Sequence, residues 1–237
     1  MAEVADDNAP TGPGAVLSFL REGAPSSVSE MPVDLPVLGQ QTGAAAAAAQ
    51  QQGLSARCAA FVDWLDQRGF QVVVFDMDRT MSSGHCGQGL KREDLQGYLN
   101  SVSRDFVEAS LALSSLGRHK LAVATGSDPL EYDIPGQGRD THILGPDLAT
   151  EVIRYWCVEA LPQFEVILGY DCELHGGAAE NKGKRFHMRV ISQHYGVPMQ
   201  NMVLFDDSQG CLENEEGWTG IKVKDSIGFR FEDCFDA

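Results

Sequence analysis

The chain has 237 residues, 43% of them hydrophobic, which is enough for one large domain with a sizeable core. Its formal net charge of −16 at pH 7 argues against binding to nucleic acid or to an anionic membrane surface. No apolar run approaches the roughly 20 residues that cross a bilayer, and the N-terminus has no secretory leader pattern. Because the six cysteines form no Cys-x-x-Cys pair, we expect reduced thiols in a cytoplasmic protein.

Residues 1–53 differ in composition from the rest of the chain. They are rich in proline and contain a run of alanines, Ala44–Ala49, followed by three glutamines. Such low-complexity sequence rarely builds a packed core. We therefore predict a disordered or loosely attached segment over residues 1–53 and a folded domain over residues 54–237.

From Ser55 onward, short apolar strands alternate with amphipathic helices. Helical spacing predicts a helix that ends near Gly69, a long helix over Leu95–Leu113, a helix that opens at Pro146, and one over residues 184–195. The predicted strands are 72–75, 121–124, 164–169, 202–205 and 220–223, while 82–90 and 128–145 have the composition of loops. Continuously apolar strands that alternate with helices predict an α/β, Rossmann-like fold with a parallel five-stranded sheet flanked by helices.

Polar residues follow directly after three of these strands. The first strand runs into Asp76 and Asp78, the second into Thr125, and the fourth into Asp206 and Asp207. Ligands of open parallel sheets bind beyond the carboxyl ends of the strands. Carboxylates crowded there would have to take up protons unless a hard divalent cation neutralised them. Oxygen ligands suit Mg²⁺, which often completes its shell with a substrate phosphate, so the pattern predicts a Mg²⁺ site facing a phosphorylated ligand.

Four motifs in order resemble those of the haloacid dehalogenase (HAD) superfamily, specifically its phosphatases. They are FDMDRT (75–80), AVATGSD (122–128), GKRFHM (183–188) and VLFDDS (203–208). The stretch over residues 184–208 is similar to the magnesium-dependent phosphatase group, and the whole resemblance covers about residues 58–225. It implies a haloacid dehalogenase core without a large cap domain.

The resemblance also implies catalytic roles. Asp76 would attack phosphorus and form an aspartyl-phosphate, while Asp78 would protonate the leaving oxygen and then activate water. Thr125 and Lys184 would hold the phosphoryl oxygens. Dehalogenase relatives lack the second aspartate, so Asp78 together with Asp207 favours phosphoryl transfer.

Further residues receive binding roles from the same resemblance. Gly126, Arg79 and Thr80 are expected to bind substrate, and Thr80 is also expected to brace the first loop. The metal ligands would be Asp76, the carbonyl of Asp78, Asp207 and Asp206.

At two positions the sequence allows a second assignment or departs from the family motifs. Lys182 competes with Lys184 for the phosphate-binding role, and the spacing to His187 favours Lys184. Relatives often have Asn or Asp where this chain has Cys211, so the outer support of the metal site differs here.

The intervals between the motifs limit how the substrate is enclosed. Neither 80–120 nor 125–184 leaves the roughly 50 residues that a separate cap domain would need beyond the core. We expect an open site, shaded only by 82–90 and 128–145, which favours a phosphoprotein substrate while leaving small phosphoesters possible. Arg79, His85 and Arg139 are candidate substrate contacts, and solvated loop residues are an equally good interpretation of each.

Two other functions compete with a phosphatase. One is a non-catalytic scaffold of the same fold, which has no need of crowded carboxylates. The other is a phosphotransferase or phosphomutase with the same intermediate, although mutases usually need a cap to exclude water. A metal site at His85 and Cys86 is a weaker idea, because no second pair lies at ligand spacing.

Overall fold

The computed structural model describes residues 54–87, 89–126, 132–170, 183–213 and 215–235. The predictions for residues 1–53, for Lys182 and for most of the loop that follows Gly126 lie outside these ranges.

Within the described ranges, five parallel strands form one sheet in the order β5–β3–β1–β6–β7, so the predicted fold class is confirmed. In chain order the strands are β1 (Val72–Phe75), β2 (Leu90–Lys91), β3 (Lys120–Ala124), β4 (His142–Ile143), β5 (Phe164–Leu168), β6 (Met202–Asp206) and β7 (Thr219–Lys222). All five predicted sheet strands are confirmed. Phe75, the last residue of β1, lies opposite Val123 on one side and Phe205 on the other, which aligns the ends of three strands.

Helices cover both faces of the sheet. They are α1 (Ala56–Arg68), α2 (Leu95–Leu99), α3 (Arg104–Leu116), α4 (Gly145–Trp156), α5 (Arg185–Tyr195) and α6 (Gln209–Leu212). The side chains of Val73 and Phe75 enter the larger core with α1, α3 and α4, whereas Val72 and Val74 enter a smaller core under α5. This burial on both faces explains why the central strands are continuously apolar over Val72–Phe75 and over residues 202–205.

The single helix predicted over Leu95–Leu113 is wrong, because α2 ends at Leu99 and α3 begins at Arg104. Ser103 has an extended backbone, and its hydroxyl accepts a hydrogen bond from the backbone N–H of Phe106 at 3.2 Å. This is the usual N-cap arrangement, which starts a new helix.

The interruption between α2 and α3 pairs with the loop that follows β1. Ser82 forms a β-bridge with Val102, and the backbone N–H of Ser83 donates to the Ser101 carbonyl at 2.9 Å. These bonds satisfy backbone groups that a continuous helix would have bonded internally. Tertiary pairing therefore overrides the helical periodicity.

The segments predicted as separate loops contain a short antiparallel ribbon, in which Leu90 of β2 lies opposite Ile143 of β4. Gly89 precedes β2 with a φ of +101°, and a Cβ there would lie 2.7 Å from the Leu144 side chain. Residues 89–91 and 142–144 therefore pack against each other. Among the residues described here, every helix is too short or too polar to cross a membrane.

Candidate active site

The turn after β1 sets the direction of the first motif. The backbone N–H of Asp76 donates to the Phe205 carbonyl at 2.9 Å, which extends the β1–β6 ladder by one bond. The chain then turns through Met77–Met81, where Arg79 has a left-handed φ of 57° and its N–H donates to the Gly84 carbonyl at 2.9 Å. This left-handed residue turns the chain after Asp78, so that its backbone bonds to the 82–86 loop.

Lys184 lies at the centre of the site. Its Nζ donates to Asp76 Oδ1 at 2.7 Å and to the Ala124 carbonyl at 2.6 Å, and it lies 3.7 Å from Asp206 Oδ2. Lys184 is the N-cap residue of α5, and Gly183 before it has a φ of +69°. The buried ammonium thus contacts groups from three neighbouring strands.

Three carboxylates form a candidate metal centre. Asp76, Asp206 and Asp207 each offer an oxygen within 4.8 Å of the others. Among the residues that the structure describes, the buried Asp206 Oδ2 has no hydrogen-bond partner, which suits an oxygen that would bind a cation. This oxygen-only donor set fits a hard ion such as Mg²⁺.

The observed cluster of carboxylates differs from the predicted cluster in one residue. We expected the Asp78 carboxylate to crowd against Asp76 and Asp207, but the group consists of Asp76, Asp206 and Asp207. The Asp78 carboxylate bonds to the following loop instead, and metal binding by its backbone carbonyl stays a prediction.

Burial and mutual repulsion control the charges in this cluster. Burial raises the pKa of Asp76 to about 7, against the attraction of Lys184 and with help from the Asp206 charge. Burial likewise raises the pKa of Asp206, against the attraction of Lys184. For Lys184, burial disfavours the charge, but the carboxylates of Asp76 and Asp206 outweigh it and raise its pKa. The lysine therefore stays an ammonium, and the carboxylates hold protons readily until a cation replaces them.

The Asp78 carboxyl group is held on both oxygens. Oδ1 accepts from the Cys86 N–H at 3.1 Å, from the Cys86 thiol at 3.0 Å and from the Tyr98 hydroxyl at 3.3 Å. Oδ2 lies 3.0 Å from His85 Nδ1. His85 and Cys86, for which a metal site was the weaker interpretation, both contact Asp78.

The second motif lies at the end of β3. The Thr125 N–H donates to the Leu168 carbonyl at 2.9 Å, and its own carbonyl lies 2.8 Å from His187 Nε2. Gly126 is exposed, and among the described residues a Cβ built there would meet nothing within 4 Å. Close packing by those residues therefore does not require a glycine at this position.

The other residues predicted to contact substrate or brace the loop, Arg79, Thr80 and Arg139, lie in three different environments. Arg79 is partly exposed, with its guanidinium 3.9 Å from Asp207 Oδ2, at the edge of the acidic cluster. Thr80 is fully buried, and its carbonyl accepts from the Phe229 N–H at 2.7 Å, which suits bracing the loop rather than touching substrate. Arg139 pairs with Asp147 at 3.3 Å and lies over the Tyr132 ring.

The sequence did not predict the contacts that Tyr98 and Cys86 make with Asp78. Tyr98 lies on the apolar side of the predicted long helix, where an aromatic residue normally indicates packing. A helix-start signal at Ser103 was present and could have separated α2 from α3.

Comparisons with known proteins give structural neighbours only. No model of a known protein family matches the sequence, and no curated protein matches it. The structure is similar to a haloacid dehalogenase-like hydrolase from Streptococcus pneumoniae, at 11% identity and a TM-score of 0.41, covering 71% of this chain and 90% of that one.

Two further neighbours were solved with magnesium. One is the D,D-heptose 1,7-bisphosphate phosphatase of B. bronchiseptica, at 15% identity and a TM-score of 0.44, covering 64% of this chain and 79% of that one. The other is a phosphatase-domain fragment from Bacteroides fragilis, at 14% identity and a TM-score of 0.45, covering 75% of this chain and 42% of that one. At these values we draw no functional argument from the neighbours. The resemblance to the haloacid dehalogenase superfamily rests on the four motifs and on their places along the sheet.

Proposed function

We propose that this chain is a Mg²⁺-dependent phosphatase that hydrolyses a phosphomonoester through an aspartyl-phosphate on Asp76. One observation carries the proposal: the Lys184 ammonium lies 2.7 Å from Asp76 Oδ1, at the edge of a three-carboxylate cluster. A nucleophilic carboxylate needs a neighbouring cation that also attracts the phosphoryl oxygens.

Different residues would bind the phosphoryl group and the metal ion. Thr125, the backbone of Gly126 and Lys184 surround the position that a phosphoryl group would take beyond β1 and β3. Asp76, Asp206 and Asp207 would hold Mg²⁺, which when bound neutralises charge on the phosphoryl oxygens.

The reaction has two steps. In the first, the Asp76 carboxylate forms a bond to phosphorus while the bond to the leaving oxygen breaks, and Asp78 gives its proton to that oxygen. In the second, Asp78 removes a proton from water as the water oxygen attacks phosphorus. Inorganic phosphate leaves, the Asp76 carboxylate is restored, and Asp78 is protonated again.

The natural substrate would be a phosphoprotein or a small phosphoester. The partly exposed Arg79 guanidinium at the edge of the acidic cluster is available to a group beyond the phosphate. An open site would admit a phosphate that protrudes from a large molecule.

Release of inorganic phosphate from 4-nitrophenyl phosphate and from a phosphopeptide panel, with Mg²⁺ and with a chelator, tests the proposal. We expect turnover that requires Mg²⁺ and that disappears in Asp76→Asn. Absence of metal-dependent turnover on every substrate would favour the scaffold interpretation. Transfer of the phosphoryl group to added alcohols in preference to water would favour a phosphotransferase.

A further inference from the structure

We infer that Tyr98 and His85 are positioning residues that orient the Asp78 carboxyl group, so that its Oδ2 oxygen is the one that exchanges protons with leaving group and water. The inference rests on the proposed function, in which Asp78 is the general acid and base. It starts from a difference between the two oxygens of Asp78. They accept different numbers of hydrogen bonds, and the side chains that contact them differ in exposure.

The Oδ1 oxygen is held by donors from two sides. The backbone N–H and the thiol of Cys86 lie 3.1 and 3.0 Å from it, and the Tyr98 hydroxyl lies 3.3 Å away. A carboxylate oxygen has about two lone-pair sites, so these donors occupy its accepting capacity. A proton on Oδ1 would point at the hydrogen atoms of those donors and displace at least one of their hydrogen bonds. The acidic proton is therefore favoured on Oδ2.

The Oδ2 oxygen lies on the open side of the group. It contacts His85 Nδ1 at 3.0 Å, and the His85 side chain is 55% exposed while that of Asp78 is 23% exposed. Tyr98, by contrast, is buried. Oδ1 is thus held by buried groups, whereas Oδ2 is held by an exposed side chain next to solvent.

The Tyr98 hydroxyl acts as a donor throughout. Burial and the nearby Asp78 charge raise the pKa of Tyr98, so the phenol keeps its proton. It therefore holds Oδ1 by a hydrogen bond and resists rotation of the carboxyl group.

The interruption of the predicted helix brings Tyr98 to this place. The 100–103 segment pairs with the loop after β1, and the Ser101 hydroxyl donates to the Tyr98 carbonyl at 2.6 Å. Gly84 in that loop admits the ring, because a Cβ there would lie 2.8 Å from two Tyr98 ring carbons. The same pairing therefore fixes both the loop that carries His85 and the helix that carries Tyr98.

The first test is Tyr98→Phe, with kcat/KM measured for a poor and a good leaving group. Proton donation matters most for a phosphoserine peptide and least for 4-nitrophenyl phosphate, whose product is a stable anion. We expect a fall of about 10-fold to 30-fold for the peptide and of less than about 3-fold for the aryl ester.

Tyr195→Phe is the matched control. It also removes one tyrosine hydroxyl, which is partly buried and donates to the Leu121 carbonyl at 2.7 Å on the opposite face of the sheet. A merely structural loss changes both substrates by the same factor in either variant. An equal fall for both substrates in Tyr98→Phe would therefore overturn the inference.

The second test uses the exposed His85, where substitution does not threaten folding. His85→Ala removes the contact to Oδ2, whereas His85→Asn can return an amide N–H close to the Nδ1 position. We expect His85→Ala to lower kcat/KM for the peptide by about fivefold or more, and His85→Asn to recover part of the loss. Indistinguishable effects of the two variants on both substrates would remove His85 from the proposal.

The wild-type protein separates this inference from the proposed function. If it releases no phosphate with Mg²⁺ from any substrate, the proposed function fails and the inference fails with it. If it is active but the Tyr98 and His85 variants show no leaving-group dependence, the inference alone fails.

Discussion

Lys184 Nζ lies 2.7 Å from Asp76 Oδ1, although the two residues are 108 positions apart in the chain. Both side chains are almost completely buried, and Asp206 lies 3.7 Å from the same ammonium. Because the contact joins the end of β1 to the start of α5, it links folding of the sheet to assembly of the site.

Replacing Lys184 by Met should destabilise the metal-free protein. It leaves Asp76 and Asp206 buried without a counter-charge, and breaking such a pair costs about 3 kcal/mol. The free energy of unfolding from urea denaturation at pH 8 measures the loss. The double variant with Asp76→Asn should recover part of it, and simple additivity of the two changes would contradict the proposed coupling.

Asp76→Asn should abolish turnover while leaving the fold intact. The amide keeps the shape of the carboxylate but cannot attack phosphorus, so kcat should fall by at least about 1000-fold. Phosphate release and circular dichroism check the two halves of this prediction. Activity near the wild-type level would exclude Asp76 as the nucleophile.

Mg²⁺ should stabilise the protein more at pH 8 than at pH 6. Burial raises the pKa of Asp76 to about 7 and also raises that of Asp206, so the folded metal-free protein binds protons more tightly than the unfolded chain. These groups therefore favour the fold at low pH, and their contribution is lost as the pH rises through about 7.

Because Mg²⁺ needs the deprotonated carboxylates, protons compete with it below that pH. Thermal unfolding with and without Mg²⁺, at constant ionic strength, measures the difference at each pH. Constant ionic strength matters because the chain carries a net charge of −16, which any salt screens. A Mg²⁺-induced shift in Tm that is equal at pH 6 and pH 8 would contradict a raised carboxyl pKa at the binding site.

Gly183→Ala should damage the site more than an equivalent change at the other end of α5. Gly183 has a φ of +69°, and an added Cβ would lie 2.7 Å from the Gly210 carbonyl oxygen. Gly196 has a similar φ of +64° with nothing within 4 Å, so Gly196→Ala reports the backbone cost alone, about 1 kcal/mol.

We expect Gly183→Ala to lose at least twice that free energy of unfolding and to lower activity, because Lys184 is the next residue. Urea denaturation and phosphate release compare the two variants. Equal losses of stability in both would show that the close approach to Gly210 is not a constraint.

The five sheet strands could be predicted from the sequence because short apolar runs alternate with helices, and the central run is apolar throughout, as in Val72–Phe75. The order of the motifs also predicted that Asp76, Thr125 and Asp206 lie at one edge of the sheet. These features depend on local composition and on a general rule of parallel sheets.

Hydrophobic periodicity does not show the break between α2 and α3, because the break depends on pairing between residues 82–83 and 101–102, and the helix-start residue Ser103 is its local signal. The hydrogen-bond donors on Asp78, and the presence of Asp206 rather than the Asp78 carboxylate in the acidic cluster, depend on contacts between distant segments.

The sequence by itself thus determined which strands form and which edge of the sheet carries the acids. Only the tertiary structure decided which carboxylates face one another and which side chains hold Asp78. The physical reason is that periodicity and composition act within one element, whereas the direction of a side chain at a strand end depends on the local backbone angles and on contacts between distant segments.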